Sequence, residues 1–120
     1  MIKTKYRDYA TAAFREWALW GCPVGTGMPS GSDELSKAKR ADMKACGMCM
    51  QTLTKTGRGD ICEAVKAVYM ERPGEKLTRG ELSARVVKFS LCRYVAERQV
   101  YEWLNVACRE FARIRGISYD

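Results

Sequence analysis

Residues 94–116, YVAERQVYEWLNVACREFARIRG, decide how the chain is read. Val100, Leu104, Ala107, Phe111 and Ile114 recur at three- and four-residue steps, the spacing that lines apolar side chains along one face of an α-helix. Gly116 is placed to end that helix, and Ile117 is the apolar residue that commonly follows such an end. On the outer side, Arg98, Gln99, Glu102 and Asn105 crowd the opening turns. A helix that only packed would be served by Ala, Lys or Glu there, whereas these side chains present distinct hydrogen-bond patterns.

The same periodicity extends upstream. In LTRGE, Thr78 and Glu81 have capping-box spacing, and Leu82, Val86 and Phe89 supply the buried side of a fourth helix ending near SLCRY. The connection KFSLCRYVA reads as longer than the tight turn of a minimal helix-turn-helix. Asp60, with Glu63 at the reciprocal position, is expected to cap a third helix carrying Val65, Val68 and Tyr69, which the ERPGEK turn stops. A second helix is expected after Ser32, running through DELSKAKRADMKACGMCMQTL with Leu35, Ala38, Ala41, Ala45, Met48 and Leu53 on one side and Gly47 as an interruption. In KYRDYATAAFREWALW, Tyr6, Tyr9, Ala10, Ala13, Phe14, Trp17 and Trp20 mark a first helix at about residues 5–20 with one aromatic face. Between these two, GCPVGTGMPSGS holds four glycines and two prolines, which exclude helix. No strand pattern competes. The expectation is a single all-α domain over 1–120 with about five helices: 1–58 forms N-terminal helices with a Gly/Pro-rich loop at 21–32, and 59–117 a C-terminal helix-turn-helix part.

Composition narrows the function. With 47% apolar residues and twelve aromatics, a chain of this length builds one core without metal or disulfide. It opens MIKTKYRDY, without the apolar run of a signal peptide or membrane span, so the six cysteines are expected to be reduced and the protein cytoplasmic, away from membranes. Lys and Arg number 21 against 14 acids, and the resulting +7, spread along the chain, favours a polyanionic partner. The absence of histidine removes imidazole bases, His triads and His metal sites. No nucleophile, base and orienting group can be assembled, so neither an enzyme nor a cofactor is expected.

Two motifs invite other chemistry. CGMC, residues 46–49, has the spacing of half a zinc site or of a redox pair, but Cys22, Cys62, Cys92 and Cys108 are isolated and the redox reading needs a strand–helix context. Partly buried ordinary thiols are the favoured reading. The glycine-rich GCPVGTGMPSG lacks the Gly-Lys-Ser/Thr ending of a phosphate loop.

The last two helices suit a helix-turn-helix, whose second helix enters the major groove by its N-terminal half. Arg98 can fork onto guanine, Gln99 and Asn105 onto adenine, and Glu102 can accept from cytosine. The alternative is a solvated face covering a bundle, and the outer positions alone leave both open.

The stretch VAERQVYEWLNVACREFARIRG resembles the V-S-x-R-x-V-x-x-W-L-x-x-A recognition-helix pattern of sigma-factor region 4. LTRGELSARVVKFSLCRYVAERQVYEWLNVACREFARIRGI is similar to the C-terminal part of small phage-encoded regulators grouped with the ArpU and RinA transcriptional activators. The resemblance covers about residues 60–117. It implies a phage or prophage regulator that reads double-stranded DNA with Arg98, Gln99, Glu102 and Asn105, while Arg79, Arg85, Lys88 and Arg93 approach phosphates. Ala96 replaces the pattern's Ser, which removes a side-chain N-cap worth about 0.5–2 kcal/mol. Arg109, Arg113 and Arg115 lie further along and read as surface charges. The aromatic first helix serves as core cover or faces RNA polymerase or a second copy in a homodimer. Two other readings stand beside this one: a helical protein-interaction or phage-assembly protein, and a ring-forming small terminase-like DNA-packaging subunit.

Overall fold

The computed structural model describes residues 5–23 and 36–117, with side chains from Arg7 onward. Most of the expected loop at 21–32, the start of the second helix at Asp33 with its Leu35, and the Tyr6 side chain lie outside the described residues. Those residues form five α-helices and no strand: α1 (Lys5–Leu19), α2 (Lys37–Lys55), α3 (Gly59–Val65), which runs into a π-helical turn (Lys66–Met70), α4 (Arg79–Arg93) and α5 (Glu97–Arg115). None is long and apolar enough to cross a membrane.

The stripe of α5 is the axis of the core. Val100, Leu104, Ala107, Cys108, Phe111 and Ala112 are all buried, and the helix packs against each of the other four. Phe111 meets Phe14 of α1 at 5.8 Å between ring centroids, and Phe14 in turn stacks on Tyr69 at 6.4 Å. Tyr9 reaches the same cluster while donating its hydroxyl to Asp42 at 2.9 Å, and Arg115 donates to that carboxylate at 2.7 Å, tying α1, α2 and the end of α5 together. Trp17 is buried and donates to the Pro23 carbonyl at 2.8 Å, while Trp20 packs at the core margin, so the aromatic face of α1 is core cover.

Two helix starts differ from expectation. In α2 the buried residues include Met43, Cys46, Cys49, Met50 and Leu53, whereas Ala38 and Met48 are exposed. The stripe is displaced because cysteine and methionine pack as hydrophobes, and Gly47 sits buried within a continuous helix. Ser36 caps that helix by accepting from the Lys39 amide at 3.2 Å. For α3 the Asp60–Glu63 capping box does not form: Arg58 is the cap residue without a side-chain bond, and Asp60 lies inside the first turn, where its charge suits the helix dipole. Glu63 instead accepts from Arg93 at 2.8 Å.

The π-helical turn ends with carbonyls that no helix continues to satisfy. Two arginines take them. Arg15 donates to the carbonyls of Tyr69 at 2.6 Å and Arg72 at 3.0 Å, and also to that of Glu75. Arg85 donates to Val68 at 2.9 Å and Glu71 at 2.8 Å. Burial, and then the Arg85 charge beside it, hold the Arg15 guanidinium below its ordinary value.

Candidate nucleic-acid interface

Thr78 starts α4 as the capping pattern predicts, its hydroxyl accepting from the Glu81 amide at 3.1 Å. At the other end, Tyr94 adopts a left-handed conformation with φ 56°, and the Tyr94 and Val95 amides both bond the Ser90 carbonyl. A left-handed residue lets the chain reverse at once, so the connection is three residues, 94–96, shorter than KFSLCRYVA suggests. Ala96 then opens α5 in the extended conformation of a cap residue but without a side-chain bond. Gly116 closes it at φ 81°, and Ile117 donates back to Ala112 at 2.8 Å while packing on the core.

The opening turns of α5 divide cleanly. Val100 and Leu104 are buried beneath, while Arg98, Tyr101 and Glu102 stand outward, the Arg98 side chain 90% exposed and within 3.7 Å of Glu102. Arg98, Tyr101, Glu102 and Asn105 share one face and line a groove of about 510 Å³ together with Arg79 of α4 and Arg7 of α1. Tyr69, Leu82 and Leu104 contribute its apolar surface. Three of the four expected base-reading residues and one of the four expected phosphate residues therefore meet at one place.

The rest are elsewhere. Gln99 is half-buried and does not line the groove. Lys88 lies nine positions beyond Arg79, about half a turn out of phase on α4, beside a smaller cavity of about 200 Å³ with Phe89 and Cys92. Arg93 lies over the Phe89 ring at 5.2 Å and pairs with Glu63. Arg85 is 7% exposed, and its donors are occupied by Val68, Glu71 and, at 3.1 Å, the Glu81 carboxylate. It is a structural cation and is not available to a phosphate, a correction to the sequence reading. Glu81 is held below the usual carboxylate range, first by the hydrogen bond from Arg85 and, against a smaller opposing effect of burial, by Arg72 as well.

Cys46 and Cys49 point into the core, the Cys49 thiol donating to the Ala107 carbonyl at 3.5 Å, and burial pushes both thiols well up. Cys108 is pushed up to about 11 by burial and shares a hydrogen bond with the Tyr69 hydroxyl at 3.7 Å. Among the described residues no three metal-ligating side chains cluster.

Sequence reasoning missed Arg7 and Thr11 as groove residues. They lie on a helix about ninety positions away along the chain from Arg98, and nothing local marks their side as facing α5. No family model, curated protein or solved structure matches the chain.

Proposed function

We propose that the chain binds double-stranded DNA through a helix-turn-helix made of α4, the turn at 94–96 and α5, and that it acts as a transcriptional regulator of the small phage-encoded kind its sequence resembles. The observation that carries the reading is the three-residue turn followed by a helix whose first turns are pinned by Val100 and Leu104 while Arg98, Tyr101 and Glu102 project outward. A major groove admits one such helix, and Arg, Glu and Asn are side chains that match base edges. The net charge of +7 supplies the attraction to phosphates. Arg98, Glu102 and Asn105 would read bases together with Gln99 at their margin, and Arg79 would contact a phosphate. RNA polymerase or a second copy would then be met by the outer faces of the remaining helices.

Fluorescence anisotropy with the DNA upstream of the protein's own gene and with random duplex, across a salt series, tests this. Selective binding with a steep salt slope supports it, and Arg98→Ala should weaken the cognate site by about 1–3 kcal/mol while affecting random duplex less. No binding at low salt refutes it.

A second reading is favoured by the outer side of α4 and the turn that follows it, which expose Val87, Leu91 (71%) and Tyr94 (96%). Under it, this apolar side holds another protein subunit, as in an assembly or packaging protein. Mass in solution distinguishes a ring from the monomer or dimer of a regulator.

A further inference from the structure

Arg7 and Arg79 make no ion pair with any described residue, although both stand beside the groove that Arg98 also lines. Several other arginines are committed: Arg15 and Arg85 to backbone carbonyls, Arg93 to Glu63, and Arg115 to Asp42. Arg58 and Arg109 also make no ion pair with a described residue but do not line this groove, so it is the shared groove that sets Arg7 and Arg79 apart. The groove carries three guanidinium groups against two carboxylates, Asp8 and Glu102, and its hydrogen-bonding partners include Thr11 and Tyr101. A second hollow of about 320 Å³ continues it between α1 and α4, sharing Asp8, Thr11, Arg79 and Leu82. The result is a channel that runs from the opening turns of α5 between α1 and the start of α4.

We propose that this channel is a phosphate-tracking site that seats the DNA backbone alongside α5, making α1, through Arg7, a third element of the interface; this rests on the DNA-binding reading above. Guanidinium groups recognise phosphate oxygens by paired donors, and a phosphate contact anchors the duplex without reading its sequence. Arg7 of α1 and Arg79 of α4 hold the strand, and Arg98 meets it at the opening turn of α5. Asp8 and Glu102 limit the site to a narrow track, since they repel a phosphate placed off the arginine line.

The test is duplex binding by anisotropy over a salt series for the full chain and for Arg7→Ala, Arg79→Ala, Arg7→Lys and, as a control on α2 away from the channel, Lys55→Ala. Each phosphate contact contributes about 0.9 to the slope of log affinity against log salt. Arg7→Ala and Arg79→Ala should each lower the slope by about that amount and weaken cognate and random duplex alike, Arg7→Lys should restore the slope, and Lys55→Ala should leave it unchanged. Because neither arginine is paired among the described residues, melting temperatures should match the parent, which separates loss of contact from loss of fold. If the parent binds DNA and Arg7→Ala behaves like Lys55→Ala, the channel assignment is wrong and the DNA reading stands. If the parent binds no duplex, both fall. If inorganic pyrophosphate raises the melting temperature of the parent and not of Arg7→Ala while duplex is not bound, the channel serves a free phosphoanion, which overturns its assignment to the DNA backbone.

Discussion

Arg85 and Lys88 are three positions apart on α4, and by sequence both belong to one phosphate-facing set. Their surroundings assign them opposite roles. The Arg85 guanidinium donates to the buried Val68 carbonyl, to the Glu71 carbonyl and to the Glu81 carboxylate. Replacing it with Met keeps most of the apolar stem and removes all three donors. Hydrogen bonds to a charged group contribute about 1.5–3 kcal/mol each, and a carbonyl stranded out of reach of water costs about 1–3 kcal/mol. Glu71 and Glu81 retain access to solvent, so their share is smaller, and the total for Arg85→Met comes to about 3–5 kcal/mol. That is a large part of the 5–15 kcal/mol typical of a domain. Urea unfolding followed by far-ultraviolet circular dichroism should show the midpoint fall with an unchanged slope. Lys88→Met should shift stability by less than about 0.5 kcal/mol. The two variants also separate chemically, because the Glu81 carboxyl should rise toward its usual value only when Arg85 is removed. An Arg85→Met protein that kept its stability within about 1 kcal/mol yet lost affinity for DNA would refute the structural assignment and return Arg85 to the interface.

Other outcomes follow from single features. Ala96→Ser should stabilise the chain by about 0.5–1 kcal/mol in urea, since Ala96 already has the extended cap conformation and lacks only the acceptor; no gain would mean that the first turn of α5 is capped by another group. Gly116→Ala should cost about 1 kcal/mol because φ is 81° there and no neighbouring atom constrains a Cβ, so the loss is one of backbone conformation alone. For Glu81 the folded carboxyl lies below its unfolded value, so its contribution is present above about pH 4.3 and is lost as pH falls through the folded value; Glu81→Gln should flatten that acid limb of the stability curve. In titration with a thiol reagent, exposed Cys92 should react first and half-buried Cys22 more slowly, whereas Cys46, Cys49, Cys62 and Cys108 should wait for unfolding; fast modification of Cys46 and Cys49 would contradict their placement in the core.

Local spacing was enough to reveal α5, α4 and α1, because each carries a continuous apolar stripe and the Thr78 and Gly116 ends act within four residues of themselves. It was also enough to show that α5 starts without a side-chain cap. The phase of α2 was harder to read, since alanines and cysteines are nearly equal candidates for burial until the facing helices are known. The Asp60 capping box failed because the helix starts earlier, at Gly59, which puts Asp60 inside the first turn, and Glu63 pairs instead with Arg93 thirty positions away. The three-residue turn depended on one tyrosine accepting a left-handed conformation, which residue identity does not announce.

The fate of the arginines belonged to tertiary structure alone. An arginine has the same charge and the same five donors whether it caps a π-helical turn, as Arg85 does, or stands beside a groove with no ion pair among the described residues, as Arg79 and Arg7 do. What separates them is the position of carbonyls and carboxylates brought from distant segments. Periodicity can therefore say which side of a helix is apolar, while only the packed chain decides which charges on the other side are already satisfied and which remain for a partner.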